Sequence, residues 1–331
     1  MTLRIGVLAA SRIAQPALID PAGLVDGVEL TAVAARDLER ARDAAERWGL
    51  AHAYGSYGEL IASPEVDAVY IGTPAALHRE WAIAAIAAGK HVLCEKPFAA
   101  NAADAQEIAD AAAASDRVVM EAYHWRYHPF AGMIRAALDS GVLGPLQRAE
   151  ARFNIPTGRI SRSDIRWNLS LGGGGLMDLG CYSVQWVRFA LGTDVVVVEA
   201  TADCPVPDVD GTMRAELRWA SGTTGSIESS MEADGTAVVA DLVVHGERGT
   251  LTANNPLAPQ SGASLVVETA DGRSETTPDA SATYFHQLVA FRDAVEHGAP
   301  FPTTAADGVA TMQVIDDCYR AAGLPVRPRH A

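Results

Sequence analysis

Asp178 and Tyr182 have side chains and a spacing suited to proton transfer. They lie in the stretch GGGGLMDLGCY, residues 172–182. On a helix, their i, i+4 spacing places both side chains on one face. A tyrosine phenol has an ordinary pKa of about 10, so it needs a neighbouring cation to exchange protons near neutral pH. For Tyr182 considered alone, packing in the hydrophobic core is the favoured interpretation.

Lys96 is the candidate cation. It stands in CEKPF, residues 94–98, directly after an apolar run that is typical of a buried strand. Pro97 disfavours helical geometry at Lys96, and the bond between them is a candidate for the cis form. Taken alone, Lys96 is equally consistent with a surface turn. Lys96 and Tyr182 form a coherent acid–base pair, provided that the fold brings them together.

The opening stretch RIGVLAASRIA, residues 4–14, is typical of a strand that leads into a dinucleotide-binding turn. The usual G-x-G-x-x-G pattern is replaced here by Ala9, Ser11 and Ala14. Phosphate binding by backbone N–H groups at a helix N-terminus needs small side chains rather than glycines. The sequence therefore leaves two interpretations open, a working cofactor loop and a plain strand–helix turn. The residues expected to hold the cofactor here are Ala9, Ala10, Ser11, Arg12 and Ile13.

The end of the second predicted strand bears on the type of cofactor. An acidic residue at this point binds the ribose 2′-hydroxyl of NAD, whereas an arginine suits the 2′-phosphate of NADP. Arg36 stands at this point, so we expect NADP(H) in preference to NAD(H). The alternative is that Arg36 begins a charged helix and points to water. Further cofactor contacts are expected at two later strand ends, from Thr73, Pro74, His78, Glu95 and Lys96.

Strand-like and helix-like segments alternate along roughly the first 120 residues. Such alternation predicts a doubly wound parallel sheet whose strands bind ligands at their carboxyl ends. Ser56 and Asn101 are expected to cap helices, and Gly49 is expected to end one. We therefore predict a Rossmann domain over residues 1–123.

After residue 123 the predicted strands are longer and are separated by turns. A hairpin is expected around Ser221-Gly222-Thr223, and two helices are expected at about 281–297 and 304–322. This pattern predicts an α+β domain over residues 124–331 with a large, mostly antiparallel, open sheet. We expect it to bind substrate and to mediate oligomerisation.

Composition excludes several classes of protein. The chain of 331 residues has a net charge of −15, which argues against nucleic acid as a partner. Its four cysteines form no C-x-x-C pair, so we expect no metal site and reduced thiols. The sequence contains no apolar stretch of 18 residues, and its start lacks a charged region followed by an apolar run, so we expect neither a membrane span nor a signal peptide. A cytoplasmic protein is expected.

Together, the altered loop, the EKP motif and the GGG-x-x-x-D-x-G-x-[HY] pattern resemble the Gfo/Idh/MocA family of oxidoreductases. The resemblance covers essentially the whole chain. The stretch EAYHWRYHP, residues 121–129, and Tyr182 are most similar to the branch of dihydrodiol and NADP-dependent sugar dehydrogenases. Many family members carry histidine where Tyr182 stands, which changes the expected proton donor from an imidazole to a phenol.

The resemblance implies a function and a role for each motif residue. Tyr182 would exchange a proton with the substrate hydroxyl, Lys96 would orient and acidify it, and Asp178 would hold the substrate hydroxyl or Lys96. The resemblance also implies a homodimer or homotetramer formed through the C-terminal sheet. The expected activity is NADP-dependent hydride transfer to or from a sugar, polyol or cyclic trans-diol. The alternative is a non-catalytic regulator that senses NADP(H). The residues expected to line the substrate pocket are Trp125, Arg126 and His128.

Overall fold

Two β-sheets organise the chain, whose computed structural model describes residues 2–329. The first sheet has six parallel strands in the order β3-β2-β1-β4-β5-β6, which is the order of a Rossmann fold. This sheet confirms the predicted fold class of the first domain. Its strands are β1 (Leu3–Leu8), β2 (Val28–Ala34), β3 (His52–Tyr54), β4 (Ala68–Ile71), β5 (His91–Cys94) and β6 (Val119–Glu121).

Helices connect these strands. The first connection is a π-helical turn, Gln15–Ile19, that continues into a short α-helix. The bounds of the helices are α1 (Asp20–Ala22), α2 (Leu38–Trp48), α3 (Tyr57–Ala62), α4 (His78–Ala87) and α5 (Ala102–Ala113).

Side chains at the helix ends explain where these helices begin and stop. The predicted caps are confirmed, because the side chain of Ser56 accepts a hydrogen bond from the first turn of α3 and that of Asn101 does the same for α5. Asp37 caps α2 in the same way, with its Oδ1 2.8 Å from the backbone nitrogen of Arg40. Gly49 ends α2 in the left-handed conformation at φ +68°, as predicted.

The second sheet has eight strands in the order β14-β13-β12-β11-β7-β10-β9-β8. All neighbours are antiparallel except β7 and β10, which run parallel. The predicted hairpin at Ser221-Gly222-Thr223 is confirmed as the connection between β9 and β10. The strands are β7 (Leu146–Pro156), β8 (Val195–Asp203), β9 (Thr212–Trp219), β10 (Thr224–Ala233), β11 (Val239–Gly246), β12 (Gly249–Asn254), β13 (Ser264–Thr269) and β14 (Gly272–Thr276).

Among the residues that the structure describes, four further α-helices accompany the second sheet and the end of the chain. One of them, α7, packs against the middle strands β7, β10 and β11. The last two confirm the helices predicted near the C-terminus. The bounds are α6 (Pro129–Asp139), α7 (Cys181–Leu191), α8 (Thr283–His297) and α9 (Ala305–Ala321).

The chain divides into two compact units, and the division differs from the predicted domains. The first unit comprises the described residues up to Arg126 together with Tyr284–Val309; the second comprises Tyr127–Thr283 and the described residues from Ala310 onward. The predicted boundary at 123/124 instead leaves residues 284–309 in the second domain. Those residues return to the first unit because Thr303 pairs with the open edge of β6. Its carbonyl accepts from Glu121 N at 3.0 Å, and its Oγ1 donates to Glu121 O at 2.6 Å.

Within residues 2–329, every helix is too short or too polar to cross a lipid bilayer.

Candidate active site

The loop after β1 keeps the tight turn of a dinucleotide-binding fold although it lacks the usual glycine. Ala9 adopts the left-handed conformation, with φ +79°, and its N–H donates to Ala34 O at the end of β2. A side chain in this conformation costs roughly 1–2 kcal/mol relative to the right-handed one. The alanine at the first fingerprint position is therefore strained, but it preserves the turn.

Two buried hydroxyls follow the carboxyl ends of β1 and β4, which are neighbouring strands. Ser11 Oγ and Thr73 Oγ1 are both inaccessible to solvent, and neither has a hydrogen-bond partner among the described residues. Gly72 lies against this point, since an added Cβ would be 2.9 Å from Ser11 Oγ. An unsatisfied buried hydroxyl costs roughly 1–3 kcal/mol, which a ligand oxygen at this point would recover.

The end of β2 presents cations to the same loop. Arg36 is exposed there, and the Nη2 of Arg40 donates to Ala10 O at 3.3 Å. Both guanidinium groups lie close enough to Tyr57 to oppose the rise in the pKa of its phenol that burial causes. Arg40 is not among the residues predicted from the sequence, although it stands one helical turn after Arg36. Arg12 and Ile13 are exposed on the loop itself.

The Asp37 carboxylate, which follows Arg36, is engaged as the cap of α2. In this position the carboxylate accepts a hydrogen bond from a backbone N–H of the helix, and this bond fixes its orientation. The end of β2 therefore offers guanidinium groups rather than the free carboxylate that an NAD ribose needs.

His78 braces two of the predicted cofactor loops. It is fully buried, with Nε2 2.8 Å from Thr73 O and Nδ1 3.0 Å from Pro97 O. Burial lowers the pKa of its imidazole. Because both ring nitrogens face backbone carbonyls, the structure gives His78 a bracing role between the loop at Pro74 and the loop at Lys96.

Lys96 follows β5, and its bond to Pro97 is cis, as predicted. The neighbouring Glu95 is buried, and its carboxylate accepts from the Tyr70 hydroxyl at 2.8 Å and from Lys96 N at 3.3 Å. The Glu95 side chain thus links the backbone of Lys96 to Tyr70 in β4. The sequence analysis missed Tyr70 because its position, within a continuous apolar strand, is typical of a core residue.

A neutral imidazole also lies near Lys96. Burial and the charge of Lys96 lower the pKa of His124 to about 3. The ring of His124 packs on that of Tyr284, with centroids 4.0 Å apart. Burial and the Glu95 carboxylate raise the pKa of the Tyr284 phenol. His124 lies within the stretch 121–129 quoted above, but the sequence analysis selected its neighbours instead.

The residues predicted to line the substrate pocket, Trp125, Arg126 and His128, have contacts of their own. Trp125 is buried, and the guanidinium of Arg126 lies over its ring at 5.4 Å from the centroid. His128 caps α6, because its Nδ1 accepts from Phe130 N at 3.0 Å. That nitrogen therefore carries no proton, and the proton is on Nε2, which faces Ser281 Oγ at 3.3 Å. The structure thus gives His128 a capping role.

Asp178 and Tyr182 share one helical segment of the second unit. The Asp178 carboxylate accepts from Arg166 Nε at 2.6 Å, and Arg166 Nη1 also donates to Asp164. The charge of Asp178 is the main cause that raises the pKa of Arg166. Arg166 was missed in the sequence, because a turn residue twelve positions from Asp178 gives no local signal for this pair.

Tyr182 lies at the start of α7 and is 3% exposed. Its ring is bordered by those of Phe153 and Trp186, with centroids 5.8 and 6.1 Å away. The aromatic walls fix the direction of the ring and leave little of it in contact with water. Lys96 belongs to the first unit, whereas Asp178 and Tyr182 belong to the second.

Comparison with known proteins identifies the family. Residues 3–123 match the model described as the oxidoreductase family with an NAD-binding Rossmann fold, and residues 132–252 match the Gfo/Idh/MocA C-terminal domain. The chain belongs to the Gfo/Idh/MocA family.

Several relatives match this Gfo/Idh/MocA protein over most of its length. The D-xylose 1-dehydrogenase (NADP(+)) 2 of Haloferax volcanii is 35% identical over 96% of each chain. The trans-1,2-dihydrobenzene-1,2-diol dehydrogenase of Mus musculus is 34% identical over 75% of this chain and 79% of the relative. A 3-ketoreductase from Actinomadura kijaniata, solved with NADP and TDP-benzene, is 28% identical and covers 97% of this chain and 98% of its own, with a TM-score of 0.88.

The first unit of this Gfo/Idh/MocA protein fits NADP(H). The buried hydroxyls of Ser11 and Thr73 can bond to cofactor oxygens. Arg36 and Arg40 provide cations suited to a 2′-phosphate. The cofactor expected from the sequence therefore agrees with both the geometry and the relatives.

Proposed function

We propose that this protein is an NADP(H)-dependent oxidoreductase that transfers a hydride between the nicotinamide and a carbon of a sugar, polyol or cyclic trans-diol. The observation that carries the proposal is the presence of Lys96, Asp178 and Tyr182 in a chain that is 35% identical, over nearly its whole length, to an NADP-dependent D-xylose dehydrogenase. A protein that only sensed NADP(H) would have no use for an acid–base pair.

Tyr182 is the proposed proton donor and acceptor. In the oxidative direction, bound NADP⁺ would supply the acceptor for the hydride of the substrate carbon, and the Tyr182 oxygen takes the proton of the substrate hydroxyl. The carbon–oxygen single bond then becomes a carbonyl, so one hydride and one proton leave the substrate. Lys96 favours the ionised phenol through its positive charge and thereby lowers the barrier to proton removal.

Asp178 is proposed to bind a substrate hydroxyl. An ionised carboxylate has about four acceptor positions, so the bond from Arg166 leaves acceptor capacity for substrate. Arg166 would hold the Asp178 carboxylate in one orientation. Trp125, Arg126 and His128 remain the residues proposed to line the substrate pocket, with His128 acting through its position rather than through Nδ1, which caps α6.

The second sheet is proposed to mediate assembly into a homodimer or homotetramer. Its edge strand β8 exposes Val196 and Val198, which are 65% and 49% accessible. Exposed apolar side chains on an edge strand favour pairing with another chain.

A cytoplasmic location is also proposed. It is supported by the four cysteines, which form no disulfide with one another.

The decisive experiment is a panel of aldoses, inositols and trans-diols, each assayed with NADP⁺ and NAD⁺ by the absorbance of the reduced nicotinamide. We expect turnover with at least one of these alcohols, and faster turnover with NADP⁺. Quenching of tryptophan fluorescence by NADPH, measured in parallel, separates binding from catalysis. Quenching without turnover on any substrate would favour the NADP(H)-sensing regulator, and the absence of both would refute the proposal.

A further inference from the structure

The glycine-rich loop that precedes Tyr182 is packed against backbone atoms and a buried ion pair. A Cβ added at Gly173 would lie 2.6 Å from the carbonyl oxygen of Arg166. At Gly174, whose φ is +140°, a Cβ would overlap Asp210 Oδ1 and lie 2.6 Å from Arg327 Nη2. These close approaches explain why both positions are glycine.

Arg327 and Asp210 form this ion pair within the second unit. Both side chains are wholly buried, and Arg327 Nη2 lies 2.5 Å from Asp210 Oδ1. Arg327 Nε donates to Gly173 O at 2.6 Å, while its guanidinium lies over the Tyr319 ring at 3.8 Å from the centroid. The Tyr319 hydroxyl donates to the same carboxylate oxygen of Asp210 at 3.0 Å. The C-terminal segment thus reaches into the glycine loop through a guanidinium group.

Asp210 also holds the start of the helical segment that carries Tyr182. Its Oδ2 accepts from Leu176 N at 2.6 Å, and its backbone carbonyl accepts from Gly175 N at 2.7 Å. Leu176 is the first residue of the π-helical turn that leads into α7. The first N–H groups of a helix lack partners within the helix and are stabilised by a carboxylate. Asp210 therefore caps this helix from a distant part of the chain.

We propose that Asp210 and Arg327 are positioning residues for Tyr182. Asp210 fixes the first N–H groups of the helical segment, and Arg327 fixes both Asp210 and the carbonyl of Gly173. This inference rests on the proposed role of Tyr182 in proton transfer. A displacement of a reacting group by about 1 Å can slow a reaction roughly 100-fold, so a small change in this loop is enough to impair turnover.

The directional bonds of the pair support positioning over simple stabilisation. Buried ion pairs can often be replaced by apolar side chains without loss of stability. In this pair, however, Asp210 bonds to Leu176 N and Arg327 bonds to Gly173 O. Apolar substitutes would fill the same volume but would not direct the loop.

The test uses the full chain and three substitutions at the pair. Arg327→Met removes the charge and the bonds, and Arg327→Lys keeps the charge but loses the bond from Nε. The double variant Arg327→Met with Asp210→Asn leaves no unpaired buried charge, which protects folding. Arg320→Met is the matched control, because Arg320 lies on α9 in the same unit and its side chain is 55% exposed.

The measurement is the first-order rate constant of NADPH formation in a single turnover, with the most active alcohol of the panel and enzyme in excess over NADP⁺. This rate constant does not depend on the fraction of folded enzyme as long as folded enzyme exceeds NADP⁺, and a shortfall of folded enzyme lowers only the amplitude of the first turnover. We expect Arg327→Met and the double variant to lower the rate constant roughly 10- to 100-fold at unchanged amplitude. Arg327→Lys should cause a smaller loss, and Arg320→Met none. Dissociation constants for NADPH should stay within about 2-fold of wild type, since the cofactor residues lie in the first unit.

Amide hydrogen exchange over residues 172–182 should become faster in the Arg327 variants and remain unchanged in Arg320→Met. A folded Arg327→Met variant with the wild-type rate constant would overturn the inference, as would a loss confined to the amplitude. A wild-type rate constant in Tyr182→Phe would instead refute the proposed role of Tyr182 in proton transfer, so the two failures are distinguishable.

Discussion

Replacing Ala9 by glycine should stabilise the protein. The left-handed conformation at φ +79° costs an alanine roughly 1–2 kcal/mol, and a glycine bears no such cost. Glycine also gives the unfolded chain more freedom, which offsets roughly 0.4–1 kcal/mol of that gain. The net expectation is a stabilisation of about 1 kcal/mol, or a rise in Tm of about 1–2 °C for a chain of 331 residues. Calorimetry without cofactor measures this directly.

Ala10→Gly is the matched control for that measurement. Ala10 stands next in the loop but is not among the residues with positive φ, so glycine there gives only the entropic cost of roughly 0.4–1 kcal/mol. The two variants should therefore shift the Tm in opposite directions. A decrease in Tm for Ala9→Gly similar to that for Ala10→Gly would show that Ala9 is not strained, and that the loop departs from the turn described above.

Two further predictions concern the cofactor and pH. Arg36→Ala should raise the dissociation constant of NADPH roughly 10- to 100-fold and leave that of NADH nearly unchanged; equal losses for both would remove the case for Arg36 as a 2′-phosphate ligand. The second prediction follows from the pKa of His124, which is about 3 in the folded protein against an ordinary 6.5. Below pH 6.5 the imidazole of His124 is protonated in the unfolded state but stays neutral in the folded state. The contribution of His124 to the free energy of unfolding therefore decreases as the pH is lowered from 6.5 to about 3. Relative to wild type, His124→Phe should gain up to roughly 3 kcal/mol between pH 7 and pH 4 in urea unfolding, and a constant difference would contradict the lowered pKa.

The Rossmann sheet could be predicted because its signals are local. Alternating apolar runs and helix caps such as Ser56 and Asn101 are visible within a few residues of sequence. The return of residues 284–309 to the first unit could not be predicted in this way. It depends on Thr303 pairing with the edge of β6, and a loop residue gives no sign of which distant strand edge it will complete.

The candidate site shows the same distinction. Lys96 and Tyr182 were found because each stands in a recognisable motif, and Ala9 was noted as a departure from the fingerprint. Its left-handed conformation became visible only in the structure. Asp210 and Arg327 carry no motif at all. They contact the glycine loop because the segments around residues 210 and 327, which are far apart in the sequence, pack together there. A local sequence pattern does not predict such a contact.

Turnover by Tyr182→Phe tests the central claim most directly. The substitution removes one hydroxyl and keeps the ring between Phe153 and Trp186, so the fold and the NADPH dissociation constant should be retained. Loss of the proton acceptor should lower the single-turnover rate with NADP⁺ and the most active alcohol by at least roughly 100-fold. If the variant binds NADPH normally and reduces NADP⁺ at the wild-type rate, another group transfers the proton, and the assignment of Tyr182 is wrong.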